Sequence, residues 1–115
     1  MRTLILTAFC LYTISTKAQV GVITETFTVK GNCEQCKDRI ENAADLKGVK
    51  VLTWSPKTKI ATVSYSSDKI SLNQIEEAIA AKGHDAGPIH GNDKAYSKLP
   101  KCCKYRDAKC EESKN

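Results

Sequence analysis

The sequence predicts an α+β fold, with four antiparallel strands in one sheet and two helices packed on one of its faces. Three observations lead there. Residues 20–30 alternate apolar and polar side chains, and two more β-type segments, 49–54 and 59–65, lie either side of a short turn. Two segments with helical apolar spacing, 33–46 and 71–82, each open on a capping sequence and close at a glycine. A last, weaker strand at 86–90 completes the order β-α-β-β-α-β, the split βαβ or ferredoxin-like arrangement, carried by about 70 residues.

In the first strand Ile23, Phe27 and Val29 share one face, and Thr24, Thr26 and Thr28 share the other, which is expected to be wet. Gly31 ends it. Asn32 and Gln35 have the spacing of a capping box for the first helix, whose stripe is Ile40, Ala43, Ala44 and Leu46. Gly48 marks its exit. Ser55-Pro56-Lys57-Thr58 turns between the second and third strands, because proline cannot continue the pairing. Ser71-Leu72-Asn73-Gln74 is a second capping box; Leu72, Ile75 and Ile79 follow at helical spacing and Gly83 closes the helix. Trp54 and Tyr65 are expected to pack on the hairpin. Gly87 and Pro88 weaken the fourth strand, and an extended or partly ordered tail is expected beyond Asn92.

The chain of 115 residues and 12.6 kDa has room for one small domain plus extensions. With 41% hydrophobic, 27% charged and only 6% aromatic residues, it suits a soluble globular core built on Val, Ile, Leu and Ala. Its net charge of +5 comes from scattered lysines with few aromatic neighbours, which reads as a solvated basic face; it supports a nucleic-acid surface only weakly, and no nucleic acid is expected as a partner. Residues 1–18 form a secretory signal peptide: Arg2 is the early positive charge, an apolar run extends from Leu4 to Ile14, and Thr16 and Ala18 are the small residues of the cleavage site. Bulky Phe9 before Cys10 argues against a lipidated cysteine there. The mature chain is therefore expected in the periplasm or outside the cell, with no membrane span, a charge of +3 and five cysteines: Cys33, Cys36, Cys102, Cys103 and Cys110.

The chemistry lies in Cys33-Glu34-Gln35-Cys36, where the first strand gives way to the first helix. This spacing puts both sulfurs near the helix start. The unpaired N–H groups and positive dipole end there favour thiolate over thiol. Two converging thiolates suit Cu(I) or Hg(II), disfavour Mg²⁺ and Ca²⁺, and leave Zn²⁺ short of its four ligands. A Cys33–Cys36 disulfide, or a thiol–disulfide redox protein using the same pair, are the alternatives. The redox reading lacks the aromatic residue usual before the first cysteine.

Gly31-Asn32-Cys33-Glu34-Gln35-Cys36, with Gly48-Val49, Val63-Ser64-Tyr65 and Ala81-Lys82-Gly83-His84-Asp85-Ala86, resembles the heavy-metal-associated domain. That family includes copper chaperones, metal-binding modules of copper-transporting ATPases and periplasmic mercury-binding proteins. The resemblance places the domain at 19–91 and implies Cys33 and Cys36 as metal ligands. Family members carry Gly-Met-Thr or Gly-Met-Ser before the first cysteine, the Met packing under the loop; here Lys30-Gly31-Asn32 stands instead. His84 occupies the place of a tyrosine common in bacterial members, which suggests a part in shielding or ligating the ion.

A basic, cysteine-containing tail, 92–115, follows. Adjacent Cys102 and Cys103 do not easily close a ring together. Either the tail folds back so that Cys102 or Cys103 joins Cys33 and Cys36 as a further ligand, or these cysteines form disulfides, with Cys110 or between chains. Lys101, Lys104, Arg106 and Lys109 are expected to favour their thiolates. His90 has no ligand spacing and reads as a surface histidine. The expected function is a non-enzymatic carrier of a soft ion: Cu(I) first, then Hg(II), Ag(I), Cd(II) or Zn(II). It would hand that ion to a metal-transporting or metal-accepting protein, one with an acidic docking face. A metal sensor or sink is the remaining reading.

Overall fold

The computed structural model describes residues 21–107; the signal-peptide expectation, Cys10 and Cys110 lie outside them. The order is β1 (Val22–Thr28), α1 (Glu34–Ala43), β2 (Val49–Trp54), β3 (Ile60–Ser66), α2 (Leu72–Ala80) and α3 (Asp93–Ser97), then a 3₁₀ turn, Lys101–Cys103. The three strands form an antiparallel sheet in the order β1-β3-β2. Val22 pairs with Ser66 and Thr28 with Ile60; on the other side Trp54 pairs with Ala61. A register shift between Val49 and Val51 bends the start of β2.

The period-two pattern sorts the faces as the sequence predicts. Thr24, Thr26 and Thr28 are exposed, while Leu52, Trp54, Ala61, Val63 and Tyr65 are buried beneath the helices. Ile40 and Ala43 of α1 and Ile75 and Ile79 of α2 complete one core with them. The capping box of α2 is present in full: the Ser71 hydroxyl accepts from Gln74 N–H, and the Gln74 side chain accepts from Ser71 N–H. Gly83, at φ +98°, follows that helix as expected.

Three expectations are corrected. First, the fourth strand is reduced to bridges among the described residues: Val29 pairs with Ala86, and Ala86 with Ile89. Lys30 N–H donates to Asp85 O and Gly87 N–H to Thr28 O, so the segment lies antiparallel along the free edge of β1. It goes no further, because Gly87 takes φ +53° and Pro88 has no N–H to give. Second, α1 has no capping box. Cys33 is the N-cap, without a side-chain cap bond, and Asn32 is buried.

Third, of the two expectations for the tail the extended one fails: through residue 107 it is folded. Asn92 donates from its N–H to Ala80 O and caps α3 by accepting from Ala95 N–H. Leu99 and Cys103 are buried in the main core. Tyr105 stacks on His84, and its hydroxyl donates to Gly83 O at 2.7 Å while accepting from Asp85 N–H at 3.0 Å. Arg106 ties Asp85, Asp93 and Gly91 O together. A few well-placed anchors hold a segment too polar to show any apolar period.

Candidate metal centre

The chain leaves β1 at Val29, crosses the buried Gly31 and Asn32, and enters α1 at Cys33. The Trp54 indole lies under this crossing and donates to Val29 O at 3.0 Å. Cys33 is extended (φ −138°) and half-buried, and Cys36, one turn on, is fully buried. Their sulfurs lie 3.5 Å apart. The helix start aims backbone donors at them: Asn32 N–H points to Cys36 Sγ at 3.4 Å, and Cys36 N–H lies against the Cys33 sulfur.

The tail brings a third sulfur. Cys103, fully buried in the 3₁₀ turn, lies with its Sγ 3.7 Å from that of Cys33, and the three sulfurs of Cys33, Cys36 and Cys103 all fall within 4.8 Å of one another. Cys102, exposed, donates to Gln35 Oε1 at 3.0 Å and stands 4.0 Å from Cys103 Sγ. All four are free thiols. This is the fold-back alternative; the described cysteines form no disulfide.

Burial alone would raise the Cys33 thiol, but the Cys36 N–H and the neighbouring thiols of Cys102, Cys36 and Cys103 outweigh it and lower Cys33 below its ordinary value. A thiolate is thus easier to form at Cys33, at the mouth of the site. Cys103 is shifted strongly upward, by burial and by its closeness to Cys36 and Cys33; Cys102 moves upward through burial and Cys33. The expectation that basic neighbours favour tail thiolates does not hold for Cys102 and Cys103; Lys109 and Cys110 lie outside the described residues. Lys104 donates to Ser97 O over the Tyr96 ring, and Arg106 is spent on Asp85 and Asp93. Burial and the close sulfurs thus resist a thiolate at Cys102 and at Cys103. A soft cation removes that resistance by replacing the protons.

His84 is fully buried, outside the sulfur cluster. Its Nδ1 faces Lys30 O at 2.8 Å and so carries the proton; Nε2 has no partner. Burial holds its pKa below the usual value. The ring props the loop and stacks on Tyr105. His90 is a surface residue, as predicted, bonded to Asp93. Sequence reasoning missed Gln35 as the partner of Cys102, Trp54 as the floor of the loop and Tyr105 as the anchor of the tail; no local pattern marks any of the three.

The sequence profile of the heavy-metal-associated domain matches residues 26–85. A copper chaperone, CopZ of Staphylococcus saprophyticus, is 34% identical over 64 residues, 54% of this chain and 94% of that protein. Among solved structures, a CopZ metallochaperone superposes with a TM-score of 0.54 at 27% identity, over 56% of this chain and 98% of the other. Oxidised MerP from Ralstonia metallidurans CH34 gives 0.56 at 25%, over 58% and 96%. The family profile ends at residue 85, before the folded tail begins. With more than half of its length matched by the family profile and its paired cysteines at the start of α1, the chain belongs to the heavy-metal-associated domain family.

Proposed function

We propose that the protein is a carrier for a soft, thiophilic cation, Cu(I) before Hg(II), Ag(I), Cd(II) and Zn(II). It would work outside the cytoplasm, after removal of residues 1–18, and pass its ion to a metal-transporting or metal-accepting protein. The observation that carries this reading is the convergence of the Cys33 and Cys36 sulfurs to 3.5 Å at a helix start, in a fold shared with a copper chaperone. Paired thiolates hold a polarisable cation well and a hard one poorly. No described helix is long and apolar enough to cross a membrane.

Transfer would run by ligand exchange. A partner's thiolate enters beside the bound ion, one of the chain's own sulfurs leaves, and no free ion forms. Excess positive charge would steer a partner with an acidic face.

Anaerobic Cu(I) titration of the reduced chain tests the site. The parent is expected to take up one equivalent against a competing chelator, and the Cys33→Ser, Cys36→Ser double variant to lose tight uptake. Equal uptake by the double variant refutes the reading; disulfide reductase activity lost on Cys33→Ser would assign the pair to redox chemistry instead. N-terminal sequencing of exported protein is expected to begin at Gln19, and a mature chain that starts at Met1 removes the export claim.

A further inference from the structure

The geometry points to a third ligand built into this chain. Cys103 completes a three-sulfur site with Cys33 and Cys36, and the tail segment that carries it is a latch that must lift before a partner's thiol can take its place. This rests on the carrier reading and deepens it.

Three features carry the inference. The sulfur of Cys103 is placed where a third ligand belongs, 3.7 Å from Cys33 Sγ and inside a triangle no wider than 4.8 Å. Its position is fixed from both sides along the chain: Leu99 is buried in the core before it, and after it the Tyr105 hydroxyl bonds Gly83 O and Asp85 N–H. Cys102 stands 4.0 Å from Cys103 Sγ and also interacts with Cys33, but it is exposed, donates to Gln35 and lies outside the group of three sulfurs within 4.8 Å of one another. The adjacent cysteines therefore have different tasks, and the site has three sulfurs, not four.

That count sets selectivity. Zn²⁺ takes four ligands, whereas a soft monovalent cation is satisfied by three thiolates in a plane. On loading, the Cys103 S–H bond breaks, its proton passes to water and a sulfur–metal bond forms; no electron is exchanged. On delivery the reverse holds. A paired-cysteine site with an open side receives a partner's thiolate there directly. Here Cys103 fills that side, so the incoming thiolate must displace it, and the ion is shielded from small chelators until a partner docks.

The test uses the reduced mature chain loaded with one equivalent of Cu(I), with X-ray absorption counting the sulfurs on copper. Three are expected for the parent and for Cys102→Ser, and two for Cys103→Ser. Two in the parent, or a drop to two in Cys102→Ser, overturns the inference; so does a count of four. Failure of the parent to bind copper strikes the carrier reading itself, which separates the two claims. Since Cys103→Ser could unseat the tail, a second variant retains every sulfur. Tyr105→Phe removes the hydroxyl's bonds to Gly83 O, Asp85 N–H and Asp85 Oδ1 from the latch and is expected to speed copper release to bathocuproine disulfonate by about tenfold. An unchanged rate overturns the latch.

Discussion

At the scale of single residues, the metal loop depends on a close fit between Gly31 and Trp54. A Cβ at residue 31 would stand 3.0 Å from the indole and 3.1 Å from Cys36 Cβ. The indole thus packs under the loop, and its N–H bond to Val29 O fixes the ring. Gly31→Ala is expected to cost about 1–3 kcal/mol through overpacking. Urea unfolding would show that loss. Because the crowded atom is the Cβ of a sulfur-bearing residue, Cu(I) affinity should fall as well. A variant of parental stability and affinity would mean that the indole does not brace the loop.

At the scale of elements, legibility followed how local each determinant is. The α2 capping box joins Ser71 to Gln74 within one turn, and the sequence shows it plainly. The same spacing at Asn32 and Gln35 misleads, because Cys33 and not Asn32 is the N-cap and the Gln35 side chain serves a distant partner. Asn32 turns its N–H to the Cys36 sulfur, and Gln35 accepts from Cys102, 67 positions away. The cysteine pair and β1–β3 were readable from spacing and alternation. The tail was not, since Leu99, Cys103 and Tyr105 gain their places from a surface that exists only once the domain has folded. Helix α2 also holds a feature hidden in its apolar stripe: Glu76 is buried, its Oε2 unpartnered and packed over Gly87. Burial, then the nearby Glu25 carboxylate, raises its pKa. An acid raised on folding contributes stability below its unfolded value, near 4.5, and that contribution is lost as pH rises through the folded value. Glu76→Gln should therefore gain on the parent as pH rises from 4.5 to 8, measured as urea midpoints. A gap that stays constant over this range would show that Glu76 does not titrate differently on folding.

At the scale of the whole molecule, the question is whether the tail is an appendage or part of one cooperative unit. Leu99 is only 5% exposed, and with Cys103 it belongs to the same core as Ile40, Trp54 and Ile75. The polar anchors point the same way: Asp85 joins the edge of β1 through Lys30 and the tail through Arg106, so one carboxylate sits at the seam. Burial opposes its ionisation, yet the Gly91 N–H, Arg106 and Tyr105 outweigh burial and hold Asp85 ionised below the ordinary range. A shared core and a shared seam predict that global unfolding takes tail and domain together, while lifting of the latch at the metal site is a smaller, local opening. Leu99→Ala is then expected to cost about 2–4 kcal/mol, the usual range for an aliphatic cavity. That cost should appear as one shifted transition, with Trp54 fluorescence and hydrogen exchange of residues 93–107 moving in step. If exchange in the tail rises while the Trp54 transition stays put, the tail docks separately. The distinction reaches the metal: in a cooperative unit, copper bound across Cys33, Cys36 and Cys103 would stabilise the entire fold by mass action, and Leu99→Ala would weaken copper retention without touching a sulfur.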